Sequence, residues 1–190
     1  MIRTFIAIDL PERVQISLDN FQKELQTLKA AVAWVNADRI HLTLKFLGDI
    51  SSEQVSHVQA SLAQVAAAVH PFRLQPAGCG AFPSVKQMRV VWVGVRGELD
   101  PLRDVQKSID STLAGLGFEA EDRPFRAHLT LGRVKGKQHL RLLQEALLAS
   151  QNFEAEAFDV IELVLYKSEL RPEGARYTPL FRAPFTGRHV

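Results

Sequence analysis

Apolar and polar positions change their period repeatedly along the chain, and each change marks an element. Residues 2–9 alternate and are rich in β-formers, as in a strand. Pro11 suits the first turn of a helix, and Val14, Leu18, Phe21, Leu25 and Leu28 then recur at spacings of three and four as one helical face. "AWV" and "RIHLTLKFLG" read as strand, turn and strand, ending at Gly48. Ser51 or Ser52 caps the next helix, whose buried face is Val55, Val58, Leu62, Val65 and Val69. From Phe72 to Val95 the period returns to strands. Leu99, Leu102, Gln106, Ile109 and Leu113 form a third helical face, ended by the glycines of "GLGF". "RPFRAHLTLGRV" is the next strand, and Leu140, Leu143, Leu147 and Leu148 mark a shorter helix. Residues from Phe153 to Phe185 read as two or three strands broken by "RPEGAR".

The order is β-α-β-α-β-β, then α-β-α-β-β-β. Several connections between strands are too short for parallel crossovers, so the pattern predicts an α+β fold with antiparallel sheet. One short motif occurs twice: "RIHLTL" over Arg39–Leu44 and "RAHLTL" over Arg126–Leu131, offset by 87 residues (128 minus 41). Each copy follows one helix and precedes another, which suggests two related lobes.

In a strand, successive side chains point to opposite faces. Arg39, His41, Thr43 and Lys45 therefore share one face of the first copy, and Arg126, His128 and Thr130 one face of the second. The leucines between them take the other face and pack against the helices of their own lobe. A groove between the two polar faces would hold two imidazoles, two hydroxyls and two or three cations. That inventory suits phosphate chemistry. An imidazole titrates near 6.5 and can hold or release a proton at neutral pH. Opening a cyclic phosphodiester with water needs a base for the water and an acid for the departing oxygen, and two histidines on opposite sides of phosphorus supply both. The threonine hydroxyls and nearby cations can hold the phosphoryl oxygens. His57, His70, His139 and His189 have no matching partner motif, and the repeats offer no carboxylate on the histidine face to complete a metal site.

Composition narrows the alternatives. A length of 190 residues suits one domain, 1–190, or two small lobes sharing a core. A net charge of +2 argues against coating long nucleic acid by bulk electrostatics, though not against gripping a small anion. Cys79 is the one cysteine, so no disulfide framework exists within the chain and a cytoplasmic location is expected. No apolar run approaches the roughly 20 residues that span a bilayer.

"HLTLKFLG" and "HLTLGRV" resemble the paired His-x-Thr-x signatures of the 2H phosphoesterase superfamily. Within it the chain is most similar to the RNA 2′,3′-cyclic phosphodiesterases, the LigT-like or 2′-5′ RNA ligase family. "RTFIAIDLPE", "WVNADRIHLTLKFLGDI", "GAFPS" with "RVVWVGV", "RPFRAHLTLGRV" and "LYKSEL…GARYTPL" carry the resemblance over nearly the whole chain. It implies a bilobal fold: two antiparallel sheets, each backed by helices, in pseudo-twofold lobes around a central cleft. It implies hydrolysis of a 2′,3′-cyclic phosphate end to a 2′-phosphate. His41 would protonate the departing 3′ oxygen, His128 would activate water, and Thr43 and Thr130 would bind the phosphoryl group. Family members also join or cleave 2′-5′ RNA linkages. Ala127 stands where these proteins often have proline. Lys45, Arg126 and Phe82 are further candidates for substrate binding, Phe82 by stacking on a terminal base. The expected partners are RNA ends or cyclic nucleotides, with no metal, no cofactor and no obligatory protein partner, in a monomer. Two rival readings stand beside this one: a clamp for RNA ends without turnover, and an enzyme acting on another substrate, such as 2′-5′ oligonucleotides or a cyclic ADP-ribose phosphate.

Overall fold

The run of β-branched and aromatic residues after Met1 forms β1 (Ile2–Ile8), and the three- and four-residue spacing after Pro11 forms α1 (Glu12–Gln26). β2 (Val32–Trp34) and a 3-10 turn (Ala37–Arg39) lead into β3 (Leu42–Ile50). Ser51 caps α2 (Ser52–Ala67) in a capping box with Gln54, each side chain bonding the other's backbone N–H. β4 (Phe72–Phe82), β5 (Val90–Gly97), α3 (Leu99–Ala114), β6 (His128–Val134), α4 (Leu140–Ala149), β7 (Phe158–Val160), β8 (Glu162–Glu169) and β9 (Arg176–Pro184) complete the chain. The computed structural model describes residues 1–171 and 174–187, so His189 lies outside the described residues.

The protein is α+β, with every strand pairing antiparallel. The strand order is β7-β4-β5-β6-β3-β1-β8-β9, with β2 beside β6 off this path. Two halves are visible, β7-β4-β5-β6 and β3-β1-β8-β9, and they meet at a single register pair, Leu42 with Leu129. The two expected sheets are thus joined edge to edge at one point, and the apolar faces of both halves contribute to one continuous core.

The helices do not stay with their own half of the chain. α1 lies beneath β6: Phe21 stacks on Phe153 at 4.3 Å, and the buried Gln22 amide donates to the carbonyls of Val35 and Leu131 at 2.8 and 2.7 Å. α3 reaches β3, where Asp110 pairs with Lys45. The expectation that each copy packs on helices of its own half is corrected by this exchange. α2 packs against α3, β8 and β9. Cys79 is buried, donates towards the carbonyls of Leu147 and Ser150, and is pushed up to about 11 by burial, which makes it an inert core thiol.

Candidate active site

The single pair between β3 and β6 brings the two motifs together. Leu42 and Leu129 each directly follow a motif histidine, and both are buried on the core side. Alternation then sends His41 and Thr43, and His128 and Thr130, to the opposite side. The antiparallel register, extended one residue each way, sets His41 beside Thr130 and Thr43 beside His128. Diagonal neighbours on such a pair lie about 7–8 Å apart, with Cβ atoms somewhat closer, a gap that one phosphoryl group can fill from both rings. All four side chains line one cavity of about 430 Å³.

Each imidazole is oriented in the same way. His41 Nδ1 lies 2.8 Å from the Arg39 carbonyl, and His128 Nδ1 lies 2.7 Å from the Arg126 carbonyl. A carbonyl oxygen only accepts, so Nδ1 carries the hydrogen in both rings and Nε2 is the nitrogen left for proton transfer. His41 stacks on Phe5 at 4.7 Å and meets Tyr177 edge-on at 5.1 Å. His128 meets Phe82 edge-on at 5.0 Å, and Phe82 leans on Trp92. Burial lowers the His41 pKa, against the opposing pulls of the Arg39 carbonyl and the Asp9 carboxylate, so the free protein carries His41 neutral at pH 7.

The faces expected from simple alternation fail after the threonine of each motif, for a physical reason. In β1–β3, Ile6 pairs with Lys45 and Ala7 with Thr43, leaving Leu44 without a partner. In β5–β6, Val91 pairs with Gly132 and Trp92 with Thr130, leaving Leu131 without one. Each copy therefore carries a β-bulge at its last leucine, and a bulge reverses the facing of the residues after it. The expectation for Lys45 is corrected here: it turns away from the histidines, is 3% exposed, and its ammonium bonds Asp110 and the Glu119 carbonyl. Phe46 takes its place facing the cavity and is exposed; Arg133, at the same offset of 87 residues, does so in the second copy. The position equivalent to Lys45 is Gly132, where an added Cβ would stand 2.6 Å from the Val32 side chain on β2.

The arginines of the repeats also lie off the expected strand faces. Arg39 ends the 3-10 turn, its guanidinium donating to the Ala175 carbonyl at 3.1 Å while lining the cavity. Arg126 precedes β6 in an irregular segment and lines a wider recess of about 670 Å³ beyond His128, together with Phe82, Arg89, Arg123 and Arg133. Phe82 is thus placed against His128 and open to that recess. Its candidate stacking surface is the one shared with Phe46.

Several groups are not visible to sequence reasoning. Arg3 and Arg133 join Arg39 in the cavity wall, and all three act electrostatically on Tyr177. Burial nonetheless raises the Tyr177 hydroxyl above its ordinary range, so it stays protonated and able to donate. On the far side of His41, Tyr166 donates to Asp9 at 2.6 Å, and Asp9 pairs with Arg182 at 3.1 Å. Arg3 and Tyr177 come from β1 and β9, and only the strand pairing brings them here. "HLTLGRV" does contain Arg133, but its face depends on the bulge. Among the described residues no group of three or more His, Cys, Asp or Glu is gathered as a metal site would require, and no helix is long and apolar enough to cross a membrane.

Known proteins share the sequence and fold of this chain. The family model described as LigT like Phosphoesterase matches the chain twice, over residues 8–92 and 93–177. An RNA 2′,3′-cyclic phosphodiesterase of Methanothermobacter thermautotrophicus is 34% identical over 179 residues, 94% of this chain and 96% of that protein. The protein of the same name from Escherichia coli is 30% identical over 184 residues, 97% of each chain. A crystal structure from Thermus thermophilus superposes with a TM-score of 0.82 at 28% identity, covering 98% of this chain and all of that one. Escherichia coli LigT complexed with 3′-AMP superposes with a TM-score of 0.77, also at 28% identity, over 97% of this chain and 98% of that one. On the twofold match of the family model and these full-length likenesses, the chain belongs to the LigT-like phosphoesterases.

Proposed function

We propose that this protein hydrolyses the 2′,3′-cyclic phosphate at an RNA end to a 2′-phosphomonoester, by acid/base catalysis between His41 and His128 without a metal ion. The observation that carries this reading is the matched pair of imidazoles in one cavity, each with Nδ1–H tied to the carbonyl two residues earlier and Nε2 left for chemistry. The relatives named RNA 2′,3′-cyclic phosphodiesterase support the substrate class.

His128 Nε2 removes a proton from water as the oxygen attacks phosphorus. The bond from phosphorus to O3′ breaks, and the departing oxygen takes the proton of His41 Nε2. The histidines finish with their protonation states exchanged, and solvent resets them. Burial favours neutral His41 in the free protein, whereas a bound phosphate anion beside the ring favours its protonated form. Thr43, Thr130, Tyr177 and the guanidinium groups of Arg3, Arg39 and Arg133 surround the phosphoryl oxygens and offset the charge that grows on them. Phe82 and Phe46 offer faces for the terminal base, and Arg126 reaches the recess beside them. Joining or cleaving a 2′-5′ linkage would run the same displacement with a ribose hydroxyl in place of water. Both histidines belong to one chain, so a monomer suffices, and the buried thiol of Cys79 suits the cytoplasm.

Incubation with adenosine 2′,3′-cyclic phosphate in excess EDTA tests the reading. Adenosine 2′-phosphate is the expected product by 31P NMR. Its kcat/KM should follow a bell in pH, because the step needs His41 protonated and His128 neutral at once; with burial holding the His41 pKa below 6.5, the lower of the two breaks lies below 6.5. Formation of the 3′-phosphate alone, or turnover that EDTA abolishes, would contradict it. Tight binding without product would instead favour an RNA-end clamp.

A further inference from the structure

We propose that Lys45 is a positioning residue for His128: with Asp110 it latches down the irregular segment 119–127, whose Arg126 carbonyl sets the His128 ring. The inference rests on the reading of His128 as a catalytic group.

The two histidine anchors look alike but are held differently. Arg39, which anchors His41, sits in a 3-10 turn closed by its own backbone, with Arg39 N–H donating to Asn36 at 2.9 Å and Ile40 N–H to Ala37 at 3.2 Å. Its side chain is tied again at Ala175. Arg126 has no such turn. From Glu119 to Ala127 the backbone forms neither helix nor strand. Among the described residues, the hydrogen bonds tying this segment to the rest of the protein upstream of Arg126 run to the Lys45–Asp110 pair. Lys45 Nζ donates to the Glu119 carbonyl at 2.7 Å, and the Glu121 N–H donates to the Asp110 carboxylate at 3.2 Å. Phe125 and Ala127 add partly buried apolar contacts.

The latch is built under the bulge. Leu44 is the extra residue that turns Lys45 from the groove to the core side, where the side chain is 2% exposed and meets Asp110 on α3. In the second copy the equivalent position is Gly132, and the bulge there is held from below by Gln22 of α1 instead. A buried ion pair is weak evidence of stability, because desolvation offsets most of its attraction. Its placement at the root of the segment that orients His128 gives it a different use. The segment also carries Arg123 and Arg126 into the recess beyond His128, so the latch bears on that wall as well.

The test uses the double variant Lys45→Met with Asp110→Leu, which removes both charges and leaves neither buried alone. Imidazole 15N NMR reads the anchor directly. In the unaltered protein both Nδ1–H protons should be retained against exchange. In the double variant the His128 proton should be lost to exchange while that of His41 persists, and kcat on a 2′,3′-cyclic nucleotide should fall by roughly 100-fold with a smaller change in KM. Asp110→Asn, which keeps the shape of the site, should speed exchange at His128 selectively and serves if the double variant does not fold. A His128 Nδ1–H retained as in the unaltered protein, with kcat within about twofold, would overturn the proposal. The NMR result does not depend on turnover. A protein that hydrolysed no cyclic phosphate would refute the function above and leave the latch to be judged on the His128 signal.

Discussion

Replacing His41 or His128 with alanine is expected to lower kcat for 2′,3′-cyclic phosphate hydrolysis by about 10²–10⁴-fold each, with the fold retained. Each ring lies outside the fully buried core, so its loss leaves the sheet and helices intact. The double variant should be little worse than the poorer single one. An acid and a base that act in one displacement are not independent, and removing either already forces the slow route. Far-UV circular dichroism and thermal unfolding would separate a chemical loss from a folding defect. Activity within tenfold of the unaltered protein in both single variants would contradict the assignment.

Arg133→Met should produce the next largest loss, about 10²-fold in kcat/KM, comparable to removing one donor from an oxyanion site. The bulge at Leu131 points this guanidinium into the cavity that holds both histidines and both threonines. No salt bridge among the described residues engages it, so its charge is available to a phosphoryl oxygen. Methionine keeps the length of the side chain and removes the charge. Arg133→Lys should recover part of the loss, since an ammonium supplies charge without the planar fork. A Met variant with unchanged kcat/KM would place Arg133 outside the reacting region.

Much of this site is legible in the chain. The repeated His-x-Thr spacing fixes which side chains share a face, and the apolar residue between them fixes that the face is opposite the core. What the spacing does not carry is the backbone irregularity one residue later. A bulge has no signature in "LTLK" or "LTLG"; it emerges only when the partner strand is laid alongside, so alternation alone puts Lys45 on the wrong side and passes over Arg133. Arg39 and Arg126 continue the alternation and so read as strand residues, yet Arg39 ends a 3-10 turn and Arg126 lies in an irregular segment, each with its carbonyl at the ring nitrogen two residues on. Phe5, Arg3 and Tyr177 lie in ordinary strand patterns. Their place beside His41 depends on β1 pairing with both β3 and β8, and on β9 pairing with β8. The exchange of α1 and α3 between halves is equally hidden, since amphipathic spacing tells a helix to bury a face and not which sheet to bury it on.

Titration with adenosine 2′-phosphate, followed by 15N NMR of the labelled imidazoles, addresses most directly whether both rings grip one phosphorus. Both Nε2 signals should move along the same binding curve at a stoichiometry of one, with both Nδ1–H protons retained. Movement of only one ring, or of the two rings at different ligand concentrations, would mean that His41 and His128 do not act on a single phosphoryl group.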